Sequence, residues 1–537
     1  MWSSQALPYS YFIPRVFGIF YVEVRHRYQG FVDFQSINNW EEMAMDDRII
    51  KGPPLQVKVN CSLGQYLIDH LRKHEDHVCK IDAITGQFQT NKDILEKSIK
   101  LAEILKSRGI KLEDRITISA ENHQNWFIAA TACLYVGATV APLNPAYTEL
   151  EIKHMLNIWK PRIIFVSRRT EKLLVKVVPT LSWPIQLIEL DDEALTSKIP
   201  TLKSLLNSIK DRIDLYQYNP VDIDDINKRT AVILSSSGTT GLPKGVALSH
   251  RNLLYYFENI KKPPYLCLNS NERVLLFLPF YHGYAFSMGF LGMVTGCTLV
   301  VMRKFSPELL FSTIEKYRIT FLPLVPSALI ILAKHPAAPS YDFRSVKEVF
   351  CGAAPMPKEI LKEAKRRLNV SYIRNGYGMT ELSIVVGLSN KSGANDDAIA
   401  DILPGLQYKI INPETLEILG PMQRGELCVK GEHSLMLGYY GYQVSPVELE
   451  TLLLSNPGIK DVAVIGKPHQ ESGELPMAFV VKQPNSKLTA REIMDFVKEK
   501  VSPQKWLRGG VRFVDAVPRT PSGKILRREL QKMVSKL

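Results

Sequence analysis

The residues with the plainest chemical potential run from Ser235 to Gly245: Ser235-Ser236-Ser237-Gly238-Thr239-Thr240-Gly241-Leu242-Pro243-Lys244-Gly245. Three glycines, five hydroxyls and one lysine share this stretch. Glycines let successive backbone N–H groups turn toward one point, and such a concavity binds phosphate. The hydroxyls add donors, and Lys244 adds a positive charge. The pattern is not the Walker loop, in which Gly-Lys-Ser/Thr opens a helix. Here Lys244 follows Pro243 and precedes Gly245. A plain surface hairpin is the alternative reading of the same residues. The element that must position the loop is the apolar run Ala231-Val232-Ile233-Leu234, which reads as a buried strand. A second apolar run, Val246-Ala247-Leu248, follows it.

On these residues the loop resembles the signature of the acyl-adenylate-forming superfamily: acyl-CoA synthetases, 4-coumarate-CoA ligases and beetle luciferases. Further stretches carry the same resemblance, among them Asn144-Pro145-Ala146-Tyr147-Thr148, Val325-Pro326, Asn375-Gly376-Tyr377-Gly378-Met379-Thr380-Glu381 and Arg519-Thr520-Pro521-Ser522-Gly523-Lys524. The resemblance implies ATP, Mg²⁺ and CoA as the small molecules used. It implies that Ser236, Ser237, Gly238, Thr239, Thr240, Gly241 and Lys244 hold the β- and γ-phosphates. Gly352-Ala353-Ala354 would face adenine, since small residues let a ring approach the backbone. Tyr377, beside Gly378, would stack on that ring; Thr380 would contact phosphate. Glu381 would hold Mg²⁺ through a hard oxygen ligand. In Pro279-Phe280-Tyr281-His282-Gly283-Tyr284, His282 falls where the acyl substrate meets the site, with Tyr284 and Gly376 lining it. Lys524 would reach the α-phosphate and the substrate carboxylate from a mobile loop. Taken alone, His282 reads as structural and Lys524 as a solvated basic turn.

Three departures accompany the resemblance. The family usually has glycine where Ala353 stands. Asp397-Ala398-Ile399-Ala400 replaces a Gly-x-x-Gly turn before Leu403-Pro404-Gly405. The largest is a junction: Leu437-Gly438-Tyr439-Tyr440 runs straight into Gly441-Tyr442-Gln443-Val444-Ser445-Pro446. Relatives carry a few dozen residues there, with a ribose-binding Asp, an arginine, the interdomain hinge and the first strands of the small domain. Gln443, beside the junction, would face CoA. A ribose without its carboxylate loses a charge-assisted hydrogen bond, on the order of 1.5–3 kcal/mol. Three functions remain open: a ligase joining a fatty or aryl acid to CoA, a luciferase-like oxygenase working on the same adenylate, and a non-catalytic or truncated binder of nucleotide or acyl ligand. Tyr281 stands where luciferases tend to have a second histidine, which favours the ligase over the oxygenase.

Composition narrows the partners. The 537 residues carry a formal charge of +13, from 67 basic and 54 acidic side chains. That balance suits anionic ligands or a membrane surface. The basic residues are scattered without a nucleic-acid-binding motif, so no such partner is expected. The seven cysteines form no C-x-x-C pair, which points away from zinc and disulfides and toward a reducing compartment. His70, His74 and His77 share a helical spacing that invites a metal, although a solvated face explains them better. No apolar run reaches the ~20 residues of a membrane helix. Tyr11 to Val24 is apolar but contains Pro14 and Arg15 and lacks a small-residue cleavage site, so no signal peptide is expected. Ser535-Lys536-Leu537 matches the peroxisomal address, which implies the import receptor as a partner and the peroxisome as the location.

The positioning elements alternate. Helical patterns over Ser62–Lys73, Thr90–Arg108 and Asn122–Val136 are interleaved with apolar runs at Asp114–Ser119, Thr139–Leu143, Ile163–Ser167 and Ile185–Leu190. This order predicts a largely parallel α/β layer architecture. Ser249 before His250, Ser445-Pro446-Val447-Glu448, and Thr489 with Glu492 read as helix starts. The expected fold is a large adenylating domain of stacked α/β layers, residues 59–440, then a small mobile α+β domain, residues 441–537. Residues 1–58 form an extension with little periodicity.

Overall fold

The computed structural model describes residues 48–535 except 56–58, 197, 211–212, 237–243, 354–357, 372, 390–400, 413–414, 416, 422, 424, 432–445, 470–472, 502–504 and 519–526. Side-chain caps set where many helices begin. Thr90, Thr148, Ser249 and Thr489 each accept from the backbone three residues on, and Asp93, Glu151, Asn252 and Glu492 reach back. Each box satisfies N–H groups that a helix start leaves without partners.

Two large sheets carry the big domain. The first has six strands in the order Gln186–Glu189, Ile163–Val166, Arg115–Ser119, Thr139–Leu143, Thr230–Ser236, Lys244–Ser249. All neighbours are parallel except the last pair, an antiparallel hairpin. The second has nine strands: Asp401–Ile402, Gly387–Leu388, Arg374–Tyr377, Glu348–Gly352, Phe321–Leu324, Arg273–Leu276, Thr298–Val301, Val78–Asp82, Phe88–Thr90. Its interior is parallel and its edges are antiparallel. Parallel strands are covered on both faces, which is why they read as unbroken apolar runs.

Two helices with no polar face, Trp126–Tyr135 and Gly283–Thr295, lie in a core shared by the two sheets. A helix apolar all round must be buried. The helices approach closely: a Cβ on Gly289 would stand 2.0 Å from the Phe127 ring. The first of them begins at Trp126, four residues later than the pattern from Asn122 suggests. Asn122 is spent elsewhere. Its Nδ2 donates to the Leu278 carbonyl at 2.9 Å and its Oδ1 accepts from Phe280 N at 3.0 Å, tying this turn to the other sheet. Tertiary bonds thus override the local helical pattern.

A short third sheet pairs Ile50–Lys51 with Leu406–Ile411, which pairs in turn with Glu426–Gly431. A strand of two residues is too short to show alternation, so the stretch 1–58 gave no sign of it. The small domain folds an antiparallel hairpin, Ile459–His469 with Gly473–Lys482, and adds Gly510–Phe513 parallel to the second strand. Leu449, Val462, Val480, Ile493 and Val497 form its own core. No helix among the described residues is long and apolar enough to cross a membrane.

Candidate active site

The phosphate-type loop springs from the hairpin at the end of the six-stranded sheet. Ser236 and Lys244 are the last described pair before it, directly opposite each other in register. The strand order brings a second segment to this point: Ser236 Oγ donates to Glu381 Oε1 at 2.6 Å. The two residues are 145 positions apart in the chain. Lys244 stands exposed at the mouth of the loop.

Glu381 is held by a turn that tolerates little change. It lies in the 3-10 turn Thr380–Leu382, just past the strand Arg374–Tyr377. Leu382 N and Ile384 N both donate to the Met379 carbonyl, at 3.0 and 2.9 Å. Ser383 and Ile384 then take φ values of +56° and +84°. That region is unfavourable for side-chain-bearing residues, above all a β-branched one, and costs of order 1–3 kcal/mol at each. Gly378 makes the turn possible, because a Cβ there would lie 1.9 Å from the Ile384 carbonyl oxygen.

The neighbouring strand ends are bare backbone. Gly352 and Gly376 are paired in parallel register. A Cβ on Gly352 would stand 3.0 Å from the Gly376 carbonyl oxygen, and one on Gly376 would stand 2.2 Å from the Phe350 ring. Ala353 follows with φ +74°, a conformation that suits glycine. Tyr377 and Thr380 are half-buried on the same run. The result is a ledge on which a flat ring could approach the main chain.

His282 joins this group through the start of the buried helix Gly283–Thr295. It is the N-cap, and its Nδ1 accepts from Tyr284 N at 3.3 Å. Nδ1 as acceptor leaves the proton of the neutral ring on Nε2. Burial pushes His282 down to about 4, so the ring is neutral near pH 7. Gly283 fixes the approach: its Cβ would lie 3.3 Å from Leu234 and 3.4 Å from Ile384. The histidine turn is therefore wedged between the loop's leading strand and the Glu381 turn. Tyr284 is buried, and its hydroxyl donates to the Phe350 carbonyl at 2.9 Å while the two rings meet edge to face at 5.2 Å. Its part is to tie helix to ledge, rather than to offer a hydroxyl to a ligand.

The structure thus gathers Ser236, Lys244, His282, Gly352, Ala353, Gly376, Tyr377, Gly378, Thr380 and Glu381 from separate stretches. Ser237, Gly238, Thr239, Thr240, Gly241, Ala354, Gln443, Lys524, Lys536, Leu537 and the Asp397–Ala400 turn lie outside the described residues. Phe350 and Ile384 shape the site and had no signal in the sequence, since each reads as an ordinary apolar residue. The three histidines near the amino end do not gather around one point: His70 Nδ1 meets the Tyr66 carbonyl at 2.8 Å, while His74 packs by Gly296 and stacks on His77, and no metal-type cluster of three occurs among the described residues.

Comparison with known proteins points the same way. The family model for AMP-binding enzymes matches residues 67–440, and that for the AMP-binding enzyme C-terminal domain matches residues 448–524. The chain is 32% identical to a luciferin 4-monooxygenase of Nipponoluciola cruciata, over 92% of this chain and 99% of that protein. It is also 32% identical to a probable CoA ligase of Humulus lupulus, over 90% of this chain and 95% of the relative. Among solved structures, a natural red-emitting luciferase from Phrixothrix hirtus superposes with a TM-score of 0.66 at 30% identity, covering 91% of this chain and 99% of its own.

Proposed function

The chain belongs to the AMP-binding enzyme family, and we propose from this premise that it is an ATP-dependent acyl-CoA ligase. Its substrate is a fatty or aryl carboxylic acid. The carboxylate oxygen bonds to the α-phosphorus of ATP as the bond to pyrophosphate breaks, giving acyl-AMP. The CoA thiol then attacks the acyl carbon, loses its proton and releases AMP. The observation that carries this reading is the Ser236–Glu381 hydrogen bond, which joins a phosphate-type loop to a carboxylate suited to a metal.

In the first step the protein's work is positioning and charge stabilisation. The loop from Ser236 to Gly241 and Lys244 grip the β- and γ-phosphates. The bare ledge Gly352–Ala354 and Tyr377 receive adenine, and Lys524 steadies charge at the α-phosphate. The Glu381 carboxylate and the adjoining Ser236 hydroxyl are an oxygen donor set that fits Mg²⁺, which would neutralise phosphate charge there. His282, neutral near pH 7, orients the acid without competing as a cation. The similarity to a CoA ligase over nearly its full length supports thiol transfer as the second step.

The shortened junction is part of the proposal. The alignment to the Nipponoluciola protein spans 549 positions yet takes in only 92% of a 537-residue chain, which supports a reading in which some of the relative's residues have no counterpart here. Ribose binding and domain rotation would both suffer from such a loss. Release of pyrophosphate across a panel of carboxylic acids, with ATP and Mg²⁺, tests the ligase reading. Turnover with one acid class supports it. ATP binding with no turnover on any acid rejects it and leaves a nucleotide-binding relative. The luciferase likeness motivates one further arm, light output with luciferin, which would replace thiol transfer by oxygenation. The same proposal places the protein in peroxisomes through Ser535-Lys536-Leu537. A tagged chain that still enters peroxisomes after loss of Leu537 would sink that part.

A further inference from the structure

A buried ion pair spans the two domains. Lys505 Nζ of the small domain lies 3.0 Å from Glu151 Oε1 of the large one, with the side chains 5% and 0% exposed. Glu151 already has a local task. Its Oε2 accepts from Thr148 N at 2.9 Å and from Thr148 Oγ at 3.0 Å, closing the capping box of the helix Glu149–Trp159. Thr148 Oγ is also 3.2 Å from the Lys500 carbonyl, the last residue of the small-domain helix Ala490–Lys500. Final-turn carbonyls of a helix lack partners within it. The N-cap of a large-domain helix thus serves the C-terminus of a small-domain helix. The Tyr147 ring lies 6.0 Å from Lys505 Nζ and adds an aromatic face.

We propose that Glu151 and Lys505 are a docking pair that fixes the small domain against the Asn144–Thr148 turn and so sets where its catalytic loop can act. The physical reason is the all-or-none character of a buried pair. A lysine and a carboxylate leave water favourably only together; either one buried without its partner is strongly disfavoured. When the domains part, Glu151 keeps its capping box through Oε2 and regains water at Oε1, Lys505 returns to water, and both are satisfied again. The contact therefore has two good states and few between them, which suits a domain that must dock and release. These are positioning residues, since neither touches a reacting group. The catalytic consequence rests on the ligase reading above; the docking itself does not.

The test uses the full-length chain in three forms: Glu151→Gln, Lys505→Met and the double variant. Glutamine keeps the capping box, and methionine keeps the bulk of the lysine stem. Hydrogen exchange is read at residues 144–151 and 505–507, with the strand Thr139–Leu143 as an internal control for folding of the large domain. Each single variant loses protection at both interface segments by about tenfold or more, because one charge is stranded. The double variant is no worse than the worse single, because the two residues act as one unit. Affinity for ATP with Mg²⁺, read by calorimetry, stays within about twofold, since every residue assigned to it except Lys524 lies in the large domain, while kcat for any acid that turns over falls by about tenfold or more. Unchanged protection in either single variant overturns the proposal, as do additive losses in the double variant or loss of protection in the control strand as well. Absence of turnover in the parent chain would defeat the ligase reading without altering the exchange result.

Discussion

The ledge beneath the candidate active site and the seam between the domains are held by different forces. At the ledge, Gly376 and Gly378 leave no room for one further carbon: the Phe350 ring and the Ile384 carbonyl already fill the space. At the seam, a glutamate and a lysine are withdrawn from water together. Close packing of main chain against ring offers a single arrangement, because interiors have the density of crystals. An ion pair offers two, paired or hydrated. The comparison teaches how one chain can keep a site rigid and still let a neighbouring domain move: steric contact where position must not vary, charge where it must.

The sharpest way to break this contrast is Gly378→Ala. The added methyl meets backbone rather than a yielding side chain, so the Glu381 turn must shift. Overpacking alone costs about 1–3 kcal/mol. We expect a lower unfolding midpoint together with loss of ATP binding by calorimetry; a variant as stable and as tight as the parent would show that the ledge yields after all. Next in size is Glu381→Gln, which keeps shape and the contact with Ser236 but removes the charge. Pyrophosphate release should fall by about 100-fold or more, as when a stabilising group aimed at developing charge is lost. Folding should be kept.

A second buried carboxylate sharpens the charge side of the comparison. Glu189 is buried like Glu151, but its neighbours are Asp191 and Glu171 rather than a lysine. Burial, with those like charges, pushes its carboxyl up to about 8. Between about 4.5 and 8 the folded chain therefore holds a proton that the unfolded chain has released. That contribution to stability is whole below the lower value and fades as pH rises through the upper one. Glu189→Gln mimics the protonated form, so its unfolding midpoint should exceed the parent's at pH 8 and match it near pH 5, measured across that range by calorimetry. A constant difference at every pH would contradict the assignment.

The smallest effect concerns Ala353. Its φ of +74° is one that alanine takes at a cost and glycine takes freely. Ala353→Gly should raise stability by no more than about 1 kcal/mol, because relief of strain is partly offset by greater freedom of the unfolded chain. A fall in denaturation midpoint would mean that the alanine methyl packs usefully on the ledge. The departure from the family's usual glycine would then be a local gain.

Much of the fold was legible before any coordinates. Thr489 with Glu492 and Ser249 before His250 announced helices that begin where expected, because a cap is a bond between residues three apart. The apolar runs at Thr139–Leu143 and Ile163–Val166 became parallel strands, because both faces of such strands are covered. The helix after Asn122 started late and Ile50–Lys51 paired unannounced, since both depend on partners more than a hundred residues away.

The candidate site divides along the same line. Residue type and spacing nominated a hydroxyl- and glycine-rich loop, and the resemblance of short motifs to a known family added a carboxylate after a Gly-x-Gly turn and a histidine before an apolar helix, since each is a property of a short stretch. Only the folded chain decided that Ser236 would bond Glu381, that Tyr284 would spend its hydroxyl on Phe350, and that Glu151 would serve both its own helix and a lysine of the next domain. The reason is physical: local sequence dictates which bonds a segment is able to make, whereas strand order and burial dictate which partners come within reach and which charges must be paired once water is gone.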